Sequence, residues 1–149
     1  MIMLRLLTIL LLLPVFGIAQ LQSYPMESLE VLQKEKPKPV LMMVMTKWCT
    51  FCKAMENTTF RDEDIVSILN QSYYFVRFDA EHRGNLTIKG KTFRYIPAGN
   101  DTGSHQLADF LSNKKNRGTY PKLIFLDSNL EKTYEINGFI SAHDLKQIL

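Results

Sequence analysis

Two cysteines separated by two residues carry the most specific chemistry in this chain. Cys49 and Cys52 are the only cysteines among 149 residues, and the only tryptophan, Trp48, directly precedes them. Side chains three positions apart on a helix lie on the same face, so these two sulfurs can form a disulfide bond. The spacing therefore predicts a pair that reacts by switching between dithiol and disulfide.

The cysteines stand at a change from strand pattern to helix pattern. Residues 40–45 are six consecutive apolar residues, typical of a strand buried on both faces, and apolar offsets of three and four begin at Cys49. The unpaired N–H groups at a helix start stabilise an anion, so we expect the pKa of the Cys49 thiol to lie below the usual value of roughly 8.5. Cys49 is the predicted nucleophile, and Cys52, one turn deeper, is predicted to resolve the mixed disulfide.

The run WCTFCK at residues 48–53, following an apolar strand, resembles the active site of the thioredoxin superfamily. A second match is Tyr120-Pro121, directly before the apolar residues 123–126. In that family a cis-proline at this place packs against the cysteine pair, and the residue before it offers its backbone to an extended substrate. The resemblance implies that Tyr120 and Pro121 contact the substrate and that Trp48 shields the pair and packs beside it in the same substrate-binding surface.

The resemblance also implies the fold: an α/β thioredoxin fold with a central mixed sheet of four or five strands flanked by helices. The patterns agree with it. A short helix is predicted near residues 27–33, a second helix is capped by Asp62, and a C-terminal helix follows the last strand. Further strands are predicted at residues 73–79, 122–127 and 133–136. A strand, helix and strand in succession predict parallel pairing of the first two strands.

Residues 81–118 are more than one crossover needs and are predicted to form an insertion before the cis-proline strand. Residues 86–88 and 92–96 alternate as a small hairpin or as a single extended excursion. Residues 97–103 are predicted to be a loop. Ser104 is predicted to cap a helix from His105 to about Ser112 that turns three apolar residues inward: Leu107, Phe110 and Leu111.

The first 19 residues are typical of a cleavable secretory signal. One positive charge, Arg5, precedes the apolar run 6–13, and small residues stand at the positions that a signal peptidase reads. An uncleaved anchor is the alternative, although the run is shorter than the about 20 residues that span a bilayer. The predicted organisation is a signal at 1–19, a lead-in helix and linker at 20–39, and a thioredoxin-like domain at 40–149. The protein is expected to be exported, to the periplasm of a bacterium or otherwise secreted.

One position departs from the family pattern. Many thioredoxins carry a buried aspartate six positions before the nucleophilic cysteine, where it helps to move the proton of the resolving thiol; here that position is Met43. By comparison with the family, Cys52 is therefore expected to lose its proton to water or to a carboxylate elsewhere, or to lose it slowly. The residues between the cysteines, Thr50 and Phe51, lack both the proline of many thioredoxins and the histidine of strong oxidants, and they do not by themselves assign a redox direction.

We therefore expect a monomeric, exported thiol-disulfide oxidoreductase that exchanges disulfides with protein substrates, a reductase in preference to an oxidase. Its electrons pass to or from a redox partner protein, which would be membrane-bound in a periplasm. The alternative is a non-catalytic thioredoxin-fold module that holds partner polypeptides along the Pro121 groove.

Other classes of function have less support in the sequence. No organic cofactor is implied. Metal binding by the cysteine pair would need further ligands, and His82, His105 and His143 are scattered without metal-ligand spacing. The net charge of +3 is too small to indicate nucleic acid as a partner.

Overall fold

The computed structural model describes residues 20–149, so the predicted secretory signal lies outside the described residues. The strands are β1 (Val40–Met45), β2 (Tyr74–Asp79), β3 (Leu86–Ile88), β4 (Lys91–Phe93), β5 (Tyr95–Gly99), β6 (Thr102–His105), β7 (Lys122–Leu126) and β8 (Lys132–Asn137). The α-helices are α1 (Leu29–Glu35), α2 (Thr50–Asn57), α3 (Glu63–Ser72), α4 (Gln106–Leu111) and α5 (Ala142–Lys146). None of the helices within residues 20–149 is both long and apolar enough to cross a membrane.

The centre of the molecule is a mixed four-stranded sheet in the order β2-β1-β7-β8. β1 pairs with β2 in parallel, with Met42 opposite Val76, and with β7 in antiparallel fashion, with Met42 opposite Ile124. β8 completes the sheet antiparallel to β7. The predicted thioredoxin fold and the predicted parallel pairing of the first two strands are confirmed.

Strand β1 is apolar throughout because both faces of the sheet are covered. Val40, Met42 and Val44 face one core cluster, which the insertion helps to build. Leu41 and Met43 face a second cluster, which includes both cysteines and helices α2, α3 and α5. The two clusters place the cysteine pair on the face of the sheet that is opposite to the insertion.

Helix α3 begins where the sequence predicts. The carboxylate of Asp62 accepts hydrogen bonds from the backbone N–H groups of Asp64 and Ile65, which have no partner inside the helix. Helix α5 begins with a reciprocal arrangement, in which Ser141 Oγ accepts from the N–H of Asp144 and donates to its carboxylate. These caps fix the ends of two helices that cover the cysteine face of the sheet.

The insertion contains two hairpins. Strands β3 and β4 pair in antiparallel fashion, so this part of residues 86–96 is a hairpin and not a single extended excursion. The loop predicted at residues 97–103 is wrong, because β5 and β6 pair across a two-residue turn. Asp101 at that turn has a φ of 55° and Gly99 before it a φ of 152°, and these conformations let the chain reverse within a segment whose composition is that of a loop.

The helix of the insertion differs from the prediction in its cap and in its buried face. His105 is the residue that caps α4, through Nδ1, while Ser104 belongs to β6. Helix α4 starts one residue later than predicted, and its buried residues are Leu107, Ala108 and Leu111. The predicted inward position of Phe110 is wrong: its side chain is 59% exposed and packs on the ring of Phe93.

Candidate active site

The cysteine pair lies where β1 passes into α2. The N–H of Cys49 donates to the carbonyl of Thr46 at 3.2 Å, which closes the turn between strand and helix. Cys49 is the N-cap residue of α2 and has an extended backbone, with φ −72° and ψ 103°. The helix therefore starts one residue after Cys49, and the Cys49 sulfur takes the place of a capping acceptor for the N–H of Cys52.

The two cysteines are bonded to each other. Their sulfurs are 2.00 Å apart and their Cα atoms 5.2 Å apart. Cys49 is 5% exposed and Cys52 is fully buried, which agrees with the predicted deeper position of Cys52. The backbone N–H of Cys52 donates to Cys49 Sγ at 3.1 Å. Because only Cys49 has contact with solvent, its sulfur is the one of the two that another molecule can approach.

The peptide bond between Tyr120 and Pro121 is cis. Pro121 is buried, and its carbonyl accepts a hydrogen bond of 2.9 Å from the N–H of Gly138 on the segment after β8. Tyr120 is half-buried and packs against both core clusters, including the cluster that contains the cysteines. Burial raises the pKa of Tyr120, and the carboxylates of Asp109, Glu81 and Asp79 add to this shift, so its hydroxyl is neutral and available for hydrogen bonding.

Trp48 connects the two motifs. Its ring meets that of Tyr120 edge to face, and its indole N–H donates to Glu81 Oε1 at 3.0 Å. The side chain is 63% exposed, so most of the indole is a surface and only part of it packs on the protein. Phe51, between the cysteines, is 65% exposed. The residue before Cys49 and the second residue after it therefore both present largely exposed aromatic side chains.

Met43 lies beneath the pair at the place of the family's buried aspartate. It is fully buried in the same cluster as both cysteines, opposite Arg77 on β2 and Leu123 on β7. Arg77 Nε lies 2.9 Å from Glu56 Oε1, in a pair of partly exposed side chains. The thioether of Met43 offers no group that can accept the proton of Cys52.

Two residues near the site were not predicted from the sequence. Glu81, at the start of the insertion, binds the indole of Trp48. Lys122, directly after Pro121, is 1% exposed, and its pKa is lowered by burial. A lysine at the first position of an otherwise apolar strand was a visible signal for a buried, hydrogen-bonded ammonium. No pattern of neighbouring residues could have indicated Glu81, because its contact with Trp48 spans 33 residues.

Among residues 20–149, no group of three or more histidine, cysteine, aspartate or glutamate side chains is placed to hold a metal ion. His105 is buried between the carbonyl of Gly84, which faces Nε2, and the N–H of Leu107, which donates to Nδ1. Burial lowers its pKa, as expected for a neutral imidazole that caps a helix.

The family model described as a thioredoxin-like domain matches residues 26–149. The chain belongs to this family. Two curated relatives, both named Thiol:disulfide interchange protein DsbD and both from Campylobacter jejuni strains, are 30% identical to it over 109 residues, which is 72% of this chain. The chain spans only 15% of the length of these relatives. The family match lies within the part of this chain that the structure describes as a thioredoxin fold.

Solved structures share the fold at low sequence identity. A DsbH oxidoreductase superposes with a TM-score of 0.57 at 17% identity, covering 92% of this chain and 89% of its own. A thioredoxin from Thermus thermophilus gives 0.58 at 14% identity, covering 87% and 84%. The C-terminal domain of DsbD from Neisseria meningitidis, in its oxidised form, gives 0.54 at 16% identity, covering 81% and 86%.

Proposed function

We propose that this protein is an exported thiol-disulfide reductase that acts on protein disulfides. The observation that carries the direction is the environment of the Cys49 sulfur. Among residues 20–149 its only hydrogen-bond donor is the backbone N–H of Cys52, and no side chain donates to it. Strong oxidants owe their potential to a stabilised reduced form. A thiolate that keeps this one donor on reduction would lack the side-chain donors that stabilise the reduced form further, and this is the support for a potential near the reducing end.

The reaction begins with the reduced pair. The thiolate of Cys49 attacks one sulfur of a substrate disulfide, an S–S bond forms between Cys49 and the substrate, and the other substrate sulfur leaves as a thiolate that takes up a proton. The thiolate of Cys52 then attacks Cys49 Sγ. The Cys49–Cys52 bond forms, the mixed disulfide breaks, and the second substrate thiol is released. Two electrons have passed to the substrate, and the pair is left oxidised.

Substrate binding is proposed to use the surface around the cis-proline. An extended segment of the substrate would lie beside Tyr120 and Pro121, with its cysteine over Cys49. The exposed faces of Trp48 and Phe51 would cover the apolar side chains that flank that cysteine. Aromatic side chains supply a large contact area at low cost in side-chain entropy, which suits a site that receives different polypeptides.

The resolving step needs a proton acceptor, because the thiol of Cys52 is fully buried. Met43 cannot supply one. Glu56 lies four residues after Cys52, one turn along the same face of α2, and is a candidate carboxylate; in this structure it pairs with Arg77. Water reaching the site after the substrate opens the disulfide is the other candidate.

The proposed export is supported by the sequence, and the proposed redox partner protein follows from the chemistry of the cysteine pair. Residues 1–19 have the pattern of a secretory signal, and a reactive pair without other cysteines suits an oxidising compartment, where substrates with disulfides persist. Each turnover leaves the Cys49–Cys52 disulfide, so a dithiol partner protein must reduce it again. The Campylobacter jejuni relatives are named for thiol:disulfide interchange, and we propose such an exchange, with a partner protein, for this chain.

The test is the equilibrium reduction potential of the pair in purified protein, measured by counting free thiols by mass in graded thiol buffers. A reductase predicts a value near the thioredoxin end of the scale, about −270 mV. A value near the strong-oxidant end, about −120 mV, would reverse the proposed direction. Mass analysis of the N-terminus after expression with the full sequence tests export, since a start near Gln20 is the expected product.

A further inference from the structure

Lys122 is a cation in a position that is otherwise apolar. It is the first residue of β7, it directly follows Pro121, and it is 1% exposed. Burying an ammonium is costly unless hydrogen bonds replace its water. Lys122 Nζ donates to Ser112 Oγ at 2.6 Å and to the carbonyl of Asn116 at 2.8 Å. Both acceptors belong to the end of the insertion, so Lys122 ties the cis-proline strand to the insertion.

The carbonyl of Asn116 is a shared hydrogen-bond acceptor for the segment that precedes β7. It accepts a hydrogen bond from Thr119 Oγ1 at 2.7 Å and one from the N–H of Thr119 at 3.3 Å, in addition to the bond from Lys122. The side-chain amide of Asn116 donates to Glu135 on β8 at 3.0 Å. Residues 116–122 therefore form a closed loop, in which Tyr120 and Pro121 lie between two residues, Thr119 and Lys122, that both bind the carbonyl of Asn116.

The same ammonium lies close to Tyr120, which forms an aromatic pair with Trp48. Lys122 Nζ lies 5.9 Å from the ring centroid of Tyr120, within the range of a cation–π contact. The ring of Tyr120 in turn packs edge to face with that of Trp48, whose indole N–H donates to Glu81. Glu81 and Asn116 lie near opposite ends of the insertion. The insertion thus holds the aromatic pair from both of its ends.

We propose that Lys122 is a positioning residue that holds Tyr120, and through it Trp48, in the arrangement that receives a protein substrate. The insertion then determines affinity for polypeptides and leaves the redox chemistry of the cysteines unchanged. This inference rests on the proposed function, since it assigns a part of the structure to substrate binding by that same site.

The test compares Lys122→Met, which keeps the length of the side chain and removes its donors, with Lys146→Met as the matched control. Lys146 also makes two contacts, with Asp62 and Asp64, but these are ion pairs at the start of helix α3. Ser112→Ala is a milder second variant that removes one acceptor and retains the lysine. Steady-state kinetics with insulin and with oxidised glutathione separate polypeptide binding from disulfide exchange. Trp48 is the only tryptophan, so quenching of its fluorescence by acrylamide reports on the aromatic pair directly.

We expect Lys122→Met to raise KM for insulin about tenfold, the change that corresponds to losing one charged hydrogen bond's contribution, while kcat for insulin stays as in the wild type. The fluorescence of Trp48 should become easier to quench. Ser112→Ala should also raise KM for insulin and the quenching of Trp48. Kinetics with oxidised glutathione and the reduction potential should not change. Lys146→Met should leave every quantity as in the wild type.

Two results would overturn the inference. One is a folded Lys122→Met protein whose KM for insulin and Trp48 quenching are those of the wild type. The other is a loss of kcat with both substrates that tracks the loss of stability, since this would mark a structural role only. If the wild type reduces neither substrate, the proposed function fails, and the quenching of Trp48 in the variants still decides whether Lys122 holds the aromatic pair.

Discussion

The rings of Trp48 and Tyr120 meet edge to face, with centroids 6.1 Å apart and planes at 76°. Trp48 precedes the first cysteine and Tyr120 precedes the cis-proline, so this contact joins the two motifs that are far apart in the sequence. Edge-to-face pairs contribute about 0.5 to 1.5 kcal/mol beyond the area they bury. The pair therefore stabilises the position of the segment that carries Cys49 relative to the segment that carries Pro121, without a direct bond to either sulfur.

Replacing Tyr120 should separate substrate binding from the reactivity of the cysteines. In Tyr120→Ala the partner of Trp48 is lost, and we expect KM for a protein disulfide to rise about tenfold, equivalent to about 1.4 kcal/mol. The free energy of unfolding should fall by about 2 kcal/mol, because the ring is only half-buried. Tyr120→Phe keeps the ring and should bind substrate as the wild type does. Equal KM values for the alanine and phenylalanine variants would remove Tyr120 from the substrate surface.

Restoring the family's aspartate should be costly in this chain. Met43→Asp places a carboxyl in an apolar cluster with no donor prepared for it, and we expect the free energy of unfolding to fall by about 2 to 4 kcal/mol at pH 7. Burial raises the folded-state pKa of such a carboxyl above its unfolded value of about 3.9, so the deficit should grow as the pH rises above about 4. Denaturant unfolding at several pH values measures this.

Met43→Leu conserves the volume and serves as the control, with an expected loss below about 1.5 kcal/mol. A Met43→Asp protein as stable as the wild type at pH 7 would mean that a partner for the carboxyl exists in this cluster after all. Faster release of the resolved substrate in that variant would identify proton removal from Cys52 as the slow step.

Glu135 should make the stability of the molecule dependent on pH in the acid range. Burial alone would raise its pKa, but hydrogen bonds from Asn116, Asn113, Lys132 and Asn137 outweigh this and lower it from 4.5 to about 2. Because the folded pKa is the lower one, the carboxylate contributes its full stabilisation above the unfolded value, and the contribution is lost as the pH falls from about 4.5 toward 2.

Glu135→Gln should therefore lower the free energy of unfolding by about 2 to 3 kcal/mol at pH 7, with the difference from the wild type disappearing near pH 2. Urea unfolding across this range provides the measurement. The control is Glu131→Gln, since Glu131 is largely exposed in its pair with Lys89 and its replacement should have little effect. A Glu135→Gln deficit that is the same at every pH would show that packing, not charge, is what the side chain contributes.

The redox centre could be predicted from the sequence because its signals are local. The apolar run of β1, the cysteine spacing and the proline before β7 each lie within a few residues, and the order of strands and helices then determines the sheet. Asp62 was predictable as a cap for the same reason. In each case the residue type and its neighbours are sufficient to specify the conformation.

The insertion was less predictable, because its contacts are long-range. Residues 97–103 have the composition of a loop, and only the pairing of Tyr95 with His105 across the turn makes them a hairpin. His105 was expected to start a helix, yet its ring is held by the carbonyl of Gly84 and becomes the cap. The links from Trp48 to Glu81 and from Lys122 to Asn116 depend on the folded chain, so spacing alone could not reveal them.

The most direct test of the proposed function is trapping of the mixed disulfide. The Cys52→Ser and Cys49→Ser variants are each reduced, mixed with a disulfide-containing protein substrate, alkylated and analysed by mass. We predict a stable complex for Cys52→Ser, linked through Cys49, and little or none for Cys49→Ser, whose remaining sulfur is fully buried. Equal trapping by both variants would contradict the assigned roles of the two cysteines, and substrate binding by Cys49→Ser without any trapping by Cys52→Ser would show a binding module instead of a reductase.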